Sequence, residues 1–458
     1  MRPSPRFLLV FAALGLLAAP RAFGQPFGPS GGEFVVNTTT TGAQYAPAVG
    51  VDLVGRFFIV WNSPDGDENG VFGRRFNHDG TAIDATQFRV NTSTTGAQIR
   101  PTIAVGAGLT FDAAVTWQLG ELFARRFDAS GFVGPSFQVN TTGAPVRSSN
   151  SMDAAGNWVA VWNDNGDVVG QRYNSAGTEL GGEFTIATTV GGSRVDVARA
   201  SGGTFVVVWN DTSTTVFARR YSSAGAPIGA GFQVNTNTAT TTNYPNVAAN
   251  DDGFVVVWTL DNASGDDVRA RLFDSAGSPQ TTEFRVNTYT TGPQILPDVG
   301  MANSGAFTVI WNDRANHDGG GPSDGGGIWA KRYSGTGAVV GQEFLVNTTT
   351  TSHQTNGVIA MQANGDFVVS WTGGPGVTTT EIWAQRYCHK LSGDADNDGA
   401  LSIADVFYLI NSLYAGGAAP LNNCDTDGNG TTDILDVFAL INNLYANGPG
   451  PSCPQPFI

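Results

Sequence analysis

The sequence predicts an all-β fold: a seven-bladed β-propeller of four-stranded blades, followed by a small α-helical calcium-binding module. Three observations carry this. A Trp that closes an apolar run recurs at Trp61, Trp117, Trp162, Trp209, Trp258, Trp311 and Trp371, at spacings of 45 to 60 residues. A second run, built around an Arg, also occurs seven times between residues 72–76 (FGRRF) and 382–387 (IWAQRY). A third ends in Val-Asn-Thr at 36–38, 90–92, 139–141, 234–236, 286–288 and 346–348, with a degenerate copy at 184–188.

Between each Val-Asn-Thr and the next Trp run lies a fourth short segment, such as those starting at Pro47, Pro101, Pro245 and Pro297. Four short strands with Gly-rich turns, repeated about every 40–50 residues, are what propeller blades require. Residues 255–258 (VVVW) are apolar in succession, the pattern of a strand covered on both faces. The Trp residues are therefore read as core. Short turns such as 274–277 (DSAG) make the second and third runs a hairpin. The blade order is then Pro-strand, Trp-strand, Arg-strand, Val-Asn-Thr strand. On this phasing the seventh blade lacks an outer strand, because Tyr387 runs straight into Cys388. Residues 33–38 supply it by pairing with 382–387. That closes the ring and hides edges that an open array would expose. An open solenoid or a stacked sandwich array is the structural alternative.

Composition agrees. Charged residues make up 14% and Gly accounts for 60 positions, which suits an all-β chain with many tight turns. The net charge of -15 leaves no basic footprint, so DNA and RNA are not expected partners. Residues 391–458 hold eight Asp and no Lys, Arg or Glu, about half of that net charge. Residues 1–24 carry Arg2 and Arg6, an apolar run from Phe7 to Ala19, then 22–24 (AFG), the parts of a secretory signal. No later stretch is read as a membrane span, so the mature chain is expected to be exported and either secreted or held at the cell surface. The divisions are then 1–24 signal, 25–387 propeller and 388–458 calcium module. Cys388, Cys424 and Cys453 all flank the acidic block. One disulfide fits an exported protein, and its pairing is left open.

The topology sorts the loops by face. Loops between the Trp and Arg strands share a face with the connections between blades, and they vary widely. Variable loops on a rigid scaffold are where binding concentrates. The expected ligand face is therefore Asp65, Asp67, Glu68, Asp164, Asp167, Asp313, His317, Asp318 and Asp324, for a glycan, matrix or protein ligand. The recurring Arg75, Arg126, Arg172, Arg220, Arg332 and Arg386 are read as structural, covering the sheet and bonding neighbouring carbonyls. The Asn-x-Thr triplets match a glycosylation acceptor but are read as a by-product of the repeat.

Residues 394–405 (DADNDGALSIAD) fit the twelve-residue calcium loop. Oxygen ligands fall at positions 1, 3, 5 and 12, a backbone carbonyl at 7, and Gly399 makes the turn at 6. Residues 425–436 (DTDGNGTTDILD) repeat it. Matching amphipathic helices follow, over 406–414 and 437–445. Clustered Asp repel one another without a cation, so two Ca²⁺ ions are expected, with binding coupled to folding.

At these residues the chain resembles a type I dockerin, the duplicated calcium module of cellulosomal proteins, over roughly 393–447. The resemblance implies Asp394, Asp396, Asp398, Asp405, Asp425, Asp427, Asn429 and Asp436 as ligands, with the carbonyls of Ala400 and Thr431. It also implies a cohesin-like protein or a cell-surface component as partner. Positions 10 and 11 depart from the common Ser-Thr of the family; here they are Ile403-Ala404 and Ile434-Leu435. The partner surface is then more apolar, or the module packs on its own chain. The repeats, over about 355 residues, resemble the Phe-x-Val-Asn-Thr and Val-Val-Trp tandem repeats of large secreted bacterial proteins, a resemblance that implies a fold and no activity.

The function expected is that of an exported, non-catalytic binding or structural protein, the propeller presenting a ligand face and the C-terminal module docking to a partner. The alternative is a glycoside hydrolase of polysaccharide catabolism carrying a dockerin. That enzyme needs two carboxylates about 5 Å or about 6.5–9.5 Å apart, and no spacing in the sequence marks such a pair. A surface-layer component is a third reading. No catalytic residues are assigned.

Overall fold

The computed structural model describes residues 27–108, 110–188, 194–211, 214–262, 265–314, 326–350, 352–374, 380–389, 403–415 and 434–446. Seven antiparallel sheets follow one another along the chain. Blades 1 to 6 span 45–89, 99–138, 145–187, 195–233, 242–285 and 294–345, each with four strands in sequence order. Blade 7 spans 353–389 and is completed from the other end of the chain. The strand Phe34–Val35 pairs with Glu381–His389, setting Phe34 against Ala384, and Phe27–Pro29 extends the same edge. The protein is thus a seven-bladed β-propeller, and the innermost strand of blade 7 lies against that of blade 1.

The packing explains the sequence pattern. The second strands, such as Phe57–Ser63 and Phe307–Asp313, are buried along their whole length, because each blade is sandwiched between two others. One such interface joins Val206, Val208 and Ala218 of blade 4 to Val247, Val256 and Trp258 of blade 5. The seam of the ring is filled alike, with Trp61 and Phe57 of blade 1 against Val368 and Ile382 of blade 7.

The Val-Asn-Thr segment departs from the expected strand. In blades 1, 5 and 7 the outer strand has two regular residues and stops before the Val. The reason lies in the Asn. Each repeated Asn turns its side chain inward and replaces the ladder: Asn91 Oδ1 accepts from Val71 N at 2.8 Å, and Asn287 Oδ1 from Val268 N at 2.9 Å. The Nδ2 group then donates to the carbonyl two residues on, as from Asn235 to Asn237 at 2.7 Å. These Asn side chains are buried and bonded, which explains the triplet without any sugar. A Gln unmarked in the sequence reading completes the device: Gln44, Gln294 and Gln354 accept from Trp61, Trp311 and Trp371 Nε1 at 3.0, 2.9 and 2.7 Å.

The repeated arginines tie blades together, as their periodicity suggested. Arg126 donates to the Ala176 carbonyl at 2.8 Å, Arg220 to Ser275 at 2.6 Å and Arg386 to His78, each on the next blade. A second basic position reaches back instead. Arg74, Arg125, Arg271 and Lys331 donate to the carbonyls of Val36, Val90, Val234 and Val286.

Beyond the propeller, helices α1 (Ile403–Tyr414) and α2 (Ile434–Ala446) pack on each other through Val406, Leu409, Val437 and Leu440. Both start three residues earlier than the periodicity suggests, so the last loop positions already form the first helical turn.

Candidate functional site

Where the seven innermost strands converge they enclose an axial cavity of about 360 Å³. Its walls combine apolar groups such as Val49 and Ile103 with polar ones such as Asn150 and Asn246. Lower in the wall, polar side chains stitch blades together. Asp196 of blade 4 accepts from Ser149 Oγ of blade 3 at 2.6 Å and from Val247 N of blade 5 at 2.8 Å. Asp298 of blade 6 accepts from Ile359 N of blade 7 and from Val299 N, both at 2.9 Å. Burial pushes the Asp298 carboxyl up to about 7, and the Asp196 charge adds to the rise. Asp196 is raised for the same first reason, desolvation.

Near the mouth of this cavity, on the face of the inter-blade connections, the inner strands share an unusual backbone; Tyr244, Leu296 and Asn356 line the cavity there, and Ala46, Arg100 and Arg147 hold the equivalent strand position. Ala46, Arg100, Arg147, Tyr244, Leu296 and Asn356 all have φ between 52° and 54°. For non-Gly residues this left-handed region is sparsely populated. Each lies where the inner strand shifts register against its neighbour, as between Ile99 and Thr102. A strained conformation repeated in six blades is imposed by the fold, and it leaves one variable side chain per blade at the same level.

Three consecutive blades place an arginine there: Arg100, Arg147 and Arg194. The Arg194 guanidinium stacks on Tyr244, 3.8 Å from the ring centroid. Arg100 Nη1 donates to Gln118 Oε1 at 3.1 Å. Burial, then the neighbouring Arg147 charge, pushes Arg194 down to about 10; Arg147 is lowered by burial and by Arg100. The three charges therefore feel one another. The sequence reading did not single them out. The signal available was positional: Ala46, Arg100, Tyr244, Leu296 and Asn356 each lie nine residues after the repeated Asn.

Of the expected acidic face, the structure describes Asp65, Asp67, Glu68, Asp164, Asp167 and Asp313. Asp164 and Asp167 flank a two-residue turn with Asn165 and Gly166 at positive φ, and Asp164 Oδ1 accepts from Ala144 N at 2.8 Å. Asp313 is fully buried and accepts from Gln294 Nε2 at 2.9 Å, extending the Trp–Gln pair inward. Asp67 accepts from Gly96 N at 2.9 Å, Asp65 lies against Gly70, and Glu68 is exposed. Asp67 and Asp164 fasten loops, and none of the six carboxylates lines the axial cavity. His317, Asp318 and Asp324 lie outside the described residues.

The second candidate surface is on the helix pair. With its own core filled, the pair still exposes Ile403, Phe407, Ile410 and Tyr414 on α1, and Ile434, Leu435 and Phe438 on α2. The α1 residues recur at three- and four-residue steps and so share one stripe. Asp405, at the twelfth position of the first loop, is fully buried in the first turn of α1. Of the other expected ligands, Asp394, Asp396, Asp398, Ala400, Asp425, Asp427, Asn429 and Thr431 lie outside the described residues. Asp436 falls within α2. No described helix is long and apolar enough to cross a membrane.

No family model and no curated protein matches the chain. Solved structures resemble it in fold. An ulvan lyase of polysaccharide lyase family PL25 has a TM-score of 0.49 at 8% identity, covering 76% of this chain and 95% of that one. A protein of unknown function from Dyadobacter fermentans DSM 18053 has a TM-score of 0.47 at 9% identity, covering 78% and 97%. The Dos1 propeller has a TM-score of 0.46 at 11% identity, covering 79% and 94%. At such identities the likeness is one of chain course, and no chemistry is taken from it.

Proposed function

We propose that the chain is an exported, non-catalytic binding protein that docks through its helix pair and presents its propeller to a ligand. The observation that carries this is the apolar stripe of α1 and α2, left uncovered although the pair already has a core of its own. Exposed contiguous apolar surface of this kind marks interaction sites. The dockerin-like loops supply the rest of the reading. Asp394, Asp396, Asp398 and Asp405, and Asp425, Asp427, Asn429 and Asp436, would hold two Ca²⁺ ions with the Ala400 and Thr431 carbonyls. Asp405 is buried in the first turn of α1, where the twelfth position of a calcium loop would sit. The ions would brace the loops that aim the helices; the stripe itself would meet a cohesin-like or surface partner. The secretory signal read in residues 1–24 supports an exported compartment for both.

The test is capture from the source organism's secreted and envelope proteins, using the full chain, with calcium or with chelator. A single calcium-dependent partner is expected, and it should be lost on Phe407→Ser. Capture that survives both chelation and Phe407→Ser would sink the docking reading.

A glycoside hydrolase is the second reading. It is favoured by the proton affinity of Asp298, which lines the cavity with Asp196. Against it, both carboxylates already hold backbone or hydroxyl protons of neighbouring strands. Turnover in a broad polysaccharide screen, abolished by Asp298→Asn, would decide for the enzyme.

A further inference from the structure

We propose that Arg100, Arg147 and Arg194, with Tyr244, form an oxyanion-binding site at the mouth of the axial cavity, for a ligand bearing two or more carboxylate, sulfate or phosphate groups. This rests on the reading of the propeller as a binding module and names the chemistry it takes.

The arginines of this chain fall into two classes. The repeated ones are engaged within the fold: Arg126, Arg220 and Arg386 by carbonyls of the next blade, Arg172 by the Leu180 carbonyl of its own, Arg75 by Asp84 at 2.9 Å and Arg332 by the Phe27 ring. The three at the mouth are not part of that repeat. Among the described residues none of them forms an ion pair with a carboxylate. Three like charges on adjacent blades, two of them half-buried, are unfavourable without a counter-charge. In a chain of net charge -15 no carboxylate stands at the same ring position in the other blades, which hold Ala46, Tyr244, Leu296 and Asn356, and the carboxylates of the cavity wall, Asp196 and Asp298, are bonded to Ser149, Val247, Ile359 and Val299 instead.

The geometry suits an anion that arrives along the axis. A guanidinium presents paired N–H donors that match the two oxygens of a carboxylate, sulfate or phosphate. Arg194 is held by the Tyr244 ring and Arg100 by Gln118, so two of the three forks are oriented before any ligand binds. The left-handed backbone at Arg100 and Arg147 fixes their departure from the sheet. The cavity behind them, about 360 Å³, is lined by the Asp196 and Asp298 carboxylates, so the oxyanion groups are held at the level of the arginines and only a compact uncharged part of the ligand enters. More than one charged group is needed because the cations come from three blades.

The test is titration calorimetry on the full chain with inorganic sulfate, inorganic phosphate, citrate, a sulfated disaccharide, a uronic-acid disaccharide and an uncharged hexasaccharide. Citrate or one of the charged sugars should bind, more weakly as salt rises. Arg147→Gln with Arg194→Gln should weaken that binding about tenfold or more. Arg194→Lys, which keeps the charge but loses the fork, should fall between. The sulfated and carboxylated arms identify which oxyanion is preferred. Unfolding midpoints of the variants near wild type exclude misfolding; Arg89→Gln, which removes an exposed arginine on the outer strand of blade 1, is the second variant and should bind as wild type does. Equal anion binding by wild type and the double variant would overturn the proposal. Binding of the uncharged hexasaccharide without any anion would also overturn it and leave the binding module standing. Binding of none of the probes would remove both.

Discussion

The propeller and the helix pair are both made by duplication, yet they leave different residues over. In the propeller the repeated side chains are consumed internally: Trp258 and Val286 are fully buried, and Asn91 answers a backbone N–H. In the helix pair, among the described residues, Val406, Leu409, Val437 and Leu440 form the buried apolar core, while equally apolar Phe407 and Phe438 stay 64% and 60% exposed. The difference separates two meanings of a repeat. Where a repeated residue closes a structural bond, function must be sought at positions that vary. Where a repeated residue is left uncovered, the repetition itself presents a surface.

The largest effect is expected in the first region. Trp258→Ala should lower stability by about 3–5 kcal/mol, measured by denaturant unfolding, because the indole fills the blade 4–blade 5 interface. A loss below about 1 kcal/mol would mean that the interface closes over the gap and that the Trp ring is not the core device. Next, Asn91→Ala should cost about 1–3 kcal/mol, since the Val71 N–H would be left buried and unpaired. The same change at exposed Asn165, in its turn, should cost less.

A smaller effect, one of slope, belongs to Asp298. Its folded-state value lies near 7, above the ordinary aspartate range, because burial disfavours the charge. From roughly pH 4 to pH 7 the folded state then holds more protons than the unfolded, so this group's contribution to stability is lost as pH rises. Relative to wild type, Asp298→Asn should gain stability progressively across that window and level off above it. Urea midpoints of both proteins at several pH values check this; a constant difference would show that Asp298 titrates as an ordinary carboxylate. The smallest stability effect is expected in the second region. Phe407→Ser and Phe438→Ser should each leave unfolding within about 0.5 kcal/mol of wild type, as surface changes do, while partner capture is lost. A large destabilisation would move these rings from surface to core and erase the comparison.

Much of the fold was legible because it rests on residues that repeat. The Trp runs, the Val-Asn ends and the Arg strands gave blade number, strand order and the seam pairing of Phe34 with Ala384. The repeated arginines were legible as fasteners for the same reason. The Gln acceptors of Trp61, Trp311 and Trp371 were not singled out. A Gln matters only once the indole N–H is known to lie 17 residues away in sequence and about 3 Å away in space. The axial arginines were missed for the opposite reason. Their positions repeat but their identities do not, so a search for recurring letters passes over them. The acidic loops were legible by composition, but not that Asp164 holds a turn and that Asp313 joins the buried Trp–Gln network.

The seam has a consequence for how the protein is made. Asn37 meets Ile382 across 345 residues, so a strand synthesised near the start stays unmatched until almost the whole propeller exists. Blades 1 to 6 are each contiguous in the chain and can form in order as they emerge. The seventh can be finished only when the two ends meet, a contact of high sequence separation and therefore slow. Until then the last blade carries an open strand edge that can take a segment of another chain in place of Phe34–Val35. Biogenesis is thus a race between joining the right ends and exchanging them, and the accuracy of assembly rests on two short stretches, Phe27–Pro29 and Phe34–Val35.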